Sequence, residues 1–228
     1  MAITALTTGL LNWLSKASPP DTLHHDWAEE LEGLSGAQPL PWWAAGSYGG
    51  RARHQLLRLR DQPSAAGLDP WLEALLPVLE ANVRRPGQRG LVVPVASWKR
   101  HANPLPPLLA QALSGALGWS LQPQLLRRSR PVLGQHHLGR SLRLANQQGA
   151  FAARPAPRAQ LGPRPPVLLV DDILTTGATA CAAATALQHE GWRVVGLACL
   201  ARTPAGRSQR RARGRDLRSS CREGDGPG

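Results

Sequence analysis

Apolar and polar positions along the chain follow two periods. Short continuous apolar runs at Leu91 to Val95, Val167 to Val170 and Val194 to Leu200 have the length and composition of strands buried on both faces. Around them lie stretches of helical period. Arg51 to Arg60 sets Leu56 and Leu57 on one face and Arg53 and Arg60 elsewhere. Asp69 and Pro70 carry N-cap and first-turn signals for a helix over Trp71 to Leu79. Leu105 to Leu117 is closed by Gly118, and Gly177 to Glu190 ends at Gly191. Strand, helix and strand follow one another from Val167 to Leu200, which is a βαβ unit and demands a parallel sheet. The expected fold class is α/β, a doubly wound parallel sheet.

The flanks read differently. Residues 1–46 are expected to form a small helical N-terminal appendage of one or two short helices, the first over Met1 to Ser15, with Pro19, Pro20, Pro39 and Pro41 at the joints. The main domain is expected over 47–202. An Arg- and Gly-rich tail, 203–228, has hardly any apolar residue to bury and is expected to be disordered. Residues 123–151 are polar and Arg-rich, and 154–166 form a Pro-rich connector that reads as extended.

Composition excludes several classes. At 228 residues with 42% apolar and 18% charged residues, the chain can bury a core without a disulfide scaffold. Its cysteines, Cys181, Cys199 and Cys221, are odd in number and lack a CxxC pair, which points to a reducing, cytoplasmic setting and away from a zinc ribbon. No apolar run approaches the ~18 residues of a membrane span, so no membrane insertion is expected. The adjacent pairs His24-His25 and His136-His137 diverge on any regular element and do not suggest a metal site.

The formal charge of +12 is unevenly distributed. Residues 1–46 hold Lys16 against Asp21, Asp26, Glu29, Glu30 and Glu32. From Ala81 to Val170 there are thirteen basic residues and no acidic one, and the interval ends at Asp171 and Asp172. A one-sided field of this length attracts a polyanion, either a phosphate-bearing small molecule or nucleic acid.

The stretch from Val167 to Thr179 carries the candidate chemistry. It puts Asp171 and Asp172 at the carboxyl end of a buried strand, then small residues, then a helix, where open α/β sheets bind their ligands. Thr175, Thr176, Gly177, Ala178 and Thr179 offer backbone amides, hydroxyls and the positive end of a helix dipole, which together make a phosphate cradle. It is not of the Walker type, having no GxxxxGK[ST] pattern. Carboxylates beside a phosphate suit vicinal hydroxyls or a hydrated Mg²⁺. Phosphate, diol and Mg²⁺ together describe a ribose 5-phosphate bearing a diphosphate.

These thirteen residues resemble, at every position, the phosphoribosyl diphosphate signature of type I phosphoribosyltransferases. Further matches are to the ComF-type competence proteins. Tyr48, Gly50, Arg53 and Arg60 resemble that family's opening pattern. Val93-Pro94-Val95 resembles the strand before its pyrophosphate loop. Arg128, Gln135, Leu138, Arg143, Asn146, Gly149, Ala150 and Phe151 resemble its Q-x2-L-x4-R-x2-N-x2-G-A-F stretch. The resemblance runs from Tyr48 to Leu200. It departs in two places: the four-cysteine N-terminal zinc module is missing, and His101-Ala102-Asn103-Pro104 stands where an Arg-Gly-Phe-Asn element is usual.

The resemblance implies a phosphoribosyltransferase that uses Mg²⁺ to move a pentosyl group from phosphoribosyl diphosphate to a nitrogen nucleophile. It implies that Thr175 to Thr179 hold the 5-phosphate, that Asp171 and Asp172 hold the ribose hydroxyls and meet Mg²⁺ through water, and that Ala96, Ser97, Lys99 and Arg100 line the pyrophosphate loop. Lys99 and Arg100 would there meet the leaving group's growing charge. Gln135, Arg143 and Asn146, with Arg128, either close over the diphosphate or, for Arg143, brace the acid pair. Two further readings stay open. One is a single-stranded DNA-handling protein of natural transformation, tied to the competence machinery, that keeps the phosphate-binding core. The other is a sensor that binds the ligand without consuming it. The acceptor and the oligomeric state are not legible from these residues.

Overall fold

A computed structural model of the chain describes residues 27–83, 85, 87–97, 103–129, 149–157 and 164–204. In chain order the strands are β1 (Leu34–Gly36), β2 (Trp42–Ser47), β3 (Leu91–Pro94), β4 (Ser120–Leu121), β5 (Leu126–Arg128), β6 (Phe151–Ala153), β7 (Pro166–Leu174) and β8 (Arg193–Arg202). The helices are α1 (Gly50–Asp61), α2 (Ala65–Asn82), α3 (Leu105–Leu117) and α4 (Ala178–His189), and a single 3-10 turn covers Ala28–Glu30. A six-stranded sheet runs in the order β1-β2-β8-β7-β3-β4, and β5 and β6 form a separate two-stranded antiparallel ribbon. Every pairing in the main sheet is parallel except β1 with β2.

Helices cover both faces, which is why the central strands read as unbroken apolar runs. On β7, Leu168 and Val170 pack with α1, α2 and α3 around Leu56, Trp71, Leu75, Leu109 and Leu113. The alternate residues Val167 and Leu169 pack against α4 and the β5-β6 ribbon, with Leu126, Phe151, Ala183 and Leu187. The doubly wound parallel sheet is thus as the patterning predicts.

Three boundaries differ. The described part of 1–46 is not a helical appendage: β1 and most of β2 lie within it, and β2 enters the main sheet beside β8, pairing Trp42 with Leu197 and Ala44 with Cys199. Ala44, Ala45 and Gly46 have little intrinsic strand preference, and Pro39 and Pro41 precede them. Burial between β8 and the helices decides the conformation instead. Gly196 makes room for this pairing, since a Cβ there would lie 2.5 Å from the Pro41 carbonyl oxygen and 2.6 Å from the Trp43 ring.

The second difference is the start of α2. Ser64 caps it, its hydroxyl accepting from the Gly67 amide at 3.1 Å, so Asp69 and Pro70 lie inside the helix rather than at its start. Pro70 and Pro77 each remove a helix hydrogen bond. The apolar face of Leu68, Trp71, Leu72, Leu75 and Leu79 holds the helix nonetheless. Third, β7 continues to Leu174, so Asp171 and Asp172 belong to the strand and not to the loop after it.

Candidate ribose-phosphate site

The loop Thr175-Thr176-Gly177 joins β7 to α4. Gly177 has φ +81°, and a Cβ on it would sit 2.3 Å from Pro39 Cγ, so the β1-β2 connection packs directly on the turn. Thr176 Oγ1 accepts from the Ala178 amide at 3.4 Å at the start of α4. From the far side, Arg202 at the end of β8 donates from Nη1 to the carbonyls of Leu174 at 2.9 Å, Thr203 at 3.0 Å, and Thr175. Its guanidinium lies 5.4 Å from the centre of the Trp42 ring. Because a trans peptide directs its C=O and N–H oppositely, carbonyls of Leu174 and Thr175 turned toward Arg202 send the amides of Thr175 and Thr176 the other way. The loop therefore offers amides, threonine hydroxyls and a helix N-terminus to an anion on one side.

The acids beside it have different surroundings. Asp172, 7% exposed, is the buried charged side chain among the described residues. Its Oδ2 accepts from Asn103 Nδ2 at 2.5 Å and from Arg60 Nη2, while Oδ1 accepts from the Ile173 amide at 2.8 Å. Asn103 in turn accepts from the Leu105 amide at 3.2 Å, where α3 begins. Asp171 is half-buried, with Oδ1 accepting from the Asp172 amide at 2.9 Å. Burial, and then the charge of Asp172, push its carboxyl well above the usual carboxylate range, and the Arg128 guanidinium partly opposes them. Arg128 donates from Nε to the Ala96 carbonyl at 2.9 Å and lies 4.0 Å from the centre of the Phe151 ring. Burial draws its pKa down, against the charge of Asp171.

The structure thus gathers Asp171, Asp172, Thr175, Thr176, Gly177, Ala178 and Thr179 at one end of β7. It sets Ala96 and Ser97 beside them at the end of β3, where the Val95 amide donates to the Val170 carbonyl at 2.8 Å. Lys99, Arg100, Gln135, Arg143 and Asn146 lie outside the described residues. Three residues have roles that the sequence reading did not assign. In the sequence Arg60 is visible only within the opening pattern, Asn103 only within the His-Ala-Asn-Pro element that replaces the usual one, and Arg202 only as the bound of the expected main domain. Of the three, Arg60 carries a signal, as one of the four residues that resemble the family's opening pattern.

Among the described residues, no group of three or more His, Cys, Asp and Glu side chains is placed to hold a metal ion. An ion bound chiefly by a ligand's phosphates and by water needs no such cage, and the partly exposed Asp171 carboxylate suits that arrangement. A cavity of about 760 Å³ opens between α4 and β6, lined by Phe151, Ala153, Cys181, Ala182, Ala186 and His189. It contains neither acid. No helix among the described residues is long and apolar enough to cross a membrane.

Comparison with known proteins agrees with this geometry. The phosphoribosyl transferase domain family matches residues 160–221, which take in β7, the loop, α4 and β8. The DNA utilization protein YhgH of Salmonella typhimurium is 34% identical over 155 residues, covering 66% of this chain and 65% of the relative. Its namesake in Escherichia coli O157:H7 is 32% identical over 157 residues, covering 66% and 65%. The chain therefore spans slightly less than two thirds of the length of these curated relatives. Among solved structures, adenine phosphoribosyltransferase from Saccharomyces cerevisiae matches with a TM-score of 0.40 and 17% identity over 78% of this chain and 88% of that one.

A parallel sheet whose β7 carries an acid pair near its carboxyl end and runs into a Thr-Thr-Gly loop and a helix defines a protein of the type I phosphoribosyltransferase fold. Within that class the local matches and the relatives place it more narrowly. The chain is a ComF-like member of the type I phosphoribosyltransferase superfamily.

Proposed function

We propose that the chain binds phosphoribosyl diphosphate with Mg²⁺ at the carboxyl ends of β3 and β7 and transfers its phosphoribosyl group to a nitrogen nucleophile, in DNA uptake or nucleotide metabolism. The observation that carries this reading is the junction of the Asp171–Asp172 pair with a loop whose carbonyls are tied to Arg202, leaving its amides for a phosphate.

In this reading the loop from Thr175 to Thr179 fixes the 5-phosphate, and Asp171 accepts from the ribose hydroxyls. Positive charge developing on the sugar as the diphosphate departs is stabilised by the Asp171 carboxylate. Ala96 and Ser97, with Lys99 and Arg100, receive the leaving diphosphate. Gln135, Arg143 and Asn146, outside the described residues, either serve the diphosphate or, for Arg143, brace the acid pair. Asp171 would hold a Mg²⁺ ion through water, and the ion would supply positive charge to offset that of the diphosphate. The chain's own contribution is positioning and fixed charge rather than covalent chemistry. Calorimetric titration with phosphoribosyl diphosphate and Mg²⁺ tests binding. Pyrophosphate release across a panel of nucleobases separates turnover from sensing. Absence of heat in the wild type refutes the proposal.

The name carried by the relatives, DNA utilization protein, and the charge of +12 favour a second reading, a single-stranded DNA-handling protein on the same core. Its affinity for single-stranded DNA must then fall steeply with salt, because displaced counterions drive charge-based binding. An affinity independent of salt rules it out.

A further inference from the structure

The resemblance assigns both acids of the signature to the sugar. Adjacent residues on a strand point to opposite faces of the sheet, and Asp171 and Asp172 are strand residues. Their contacts follow that geometry. Asp172 turns toward the face covered by α1 to α3, where Arg60 on α1 and Asn103 before α3 both donate to Oδ2 and the Ile173 amide occupies Oδ1. Asp171 lies on the side of the β5-β6 ribbon. There it faces Arg128, which also grips the Ala96 carbonyl at the end of β3.

We propose that the acid pair is divided: Asp171 is the carboxylate that meets the sugar, and Asp172 is a positioning residue, bound to Arg60 and Asn103, that fixes the start of α3. The assignment of Asp171 rests on the function proposed above, whereas the Arg60–Asp172–Asn103 cluster stands on contacts alone. Asn103 is the joint of this arrangement, because it donates to Asp172 through Nδ2 and accepts the Leu105 amide through Oδ1. It thereby ties β7 to the first turn of α3, just beyond the chain segment that leaves β3 at Ala96 and Ser97. An effect of Asp172 on a ligand is therefore transmitted toward the diphosphate side, while the hydroxyls shared by every ribose 5-phosphate are left to Asp171.

Two ligands separate these roles. The full-length protein and its Asp171→Asn, Asp172→Asn, Asn103→Ala and Asp172→Asn/Asn103→Ala variants are titrated with phosphoribosyl diphosphate and with ribose 5-phosphate, each with Mg²⁺, and melted without ligand. Asp171→Asn should weaken both ligands by about tenfold or more, as expected for loss of a charged hydrogen-bond acceptor. Asp172→Asn and Asn103→Ala should weaken phosphoribosyl diphosphate severalfold and leave ribose 5-phosphate within about twofold, with the double variant no worse than the singles, because they break one unit. Both should also lower the melting temperature non-additively, whereas Asp171→Asn should not lower it.

Loss of ribose 5-phosphate binding in Asp172→Asn to the extent seen in Asp171→Asn overturns the division. So do melting effects of Asp172→Asn and Asn103→Ala that simply add. A wild type that binds neither ligand refutes the proposed function and the role of Asp171 with it. The melting data then still decide whether Asp172 and Asn103 act as one unit.

Discussion

Asp171→Asn is expected to stabilise the folded protein while weakening its ligand affinity. The variant keeps an oxygen that can accept the Asp172 amide, as Asp171 Oδ1 does at 2.9 Å, and adds almost no volume. What it removes is a negative charge held partly out of water beside Asp172. Burial and the neighbouring Asp172 both disfavour that charge, while Arg128 on the same side and Arg60 bonded to Asp172 offset part of the penalty, leaving on the order of 1–2 kcal/mol. For a chain of this size each kcal/mol moves the melting temperature by about 2–4 °C, so the variant should melt about 2–8 °C higher at pH 8. The pH dependence fixes the cause. Because the native carboxyl titrates above its unfolded value, the penalty is present when both states are ionised, shrinks as pH falls through the raised native value, and is gone below the unfolded value near ~3.9. Scanning calorimetry of wild type and variant from pH 8 to pH 4 should show the gap closing as pH falls. A variant that melts below wild type at pH 8, or a gap that widens toward acid, refutes the view that Asp171 is held as an unfavourable charge for the sake of its ligand.

Other expectations are simpler. Gly177→Ala meets both a left-handed backbone and the Pro39 ring 2.3 Å from its new methyl group. It should destabilise by about 2 kcal/mol or more in urea unfolding and abolish ribose 5-phosphate binding. Arg202→Gln releases the carbonyls of Leu174 and Thr175 and should weaken inorganic phosphate and ribose 5-phosphate by about tenfold, read by calorimetry. Ser64→Ala removes the cap of α2 and should cost about 1 kcal/mol with ligand binding unchanged.

What was legible in the sequence divides by range. The strand β7, the helix α4 and the loop between them are local structures whose buried face and turn chemistry are written in consecutive residues, and α3 could be bounded by Gly118, which takes the left-handed conformation at its end. β2 could not be read this way. Alanines and a glycine that follow Pro39 and Pro41 become a strand only because β8 lies alongside and helices cover both faces, and that information sits as far along the chain as Cys199, the partner of Ala44. The site shows the same division. The signature puts the acids and the small-residue loop together at the carboxyl end of one strand, but bounding that strand at Val170 hides the divergence of Asp171 and Asp172. Once β7 is seen to run through to Leu174, the two carboxylates must face different neighbours, and Arg60 and Asn103 become the partners that Asp172 requires. A buried carboxylate without such donors would be too costly to keep. The extension of β7 past Val170 is therefore what sends the two carboxylates to different neighbours.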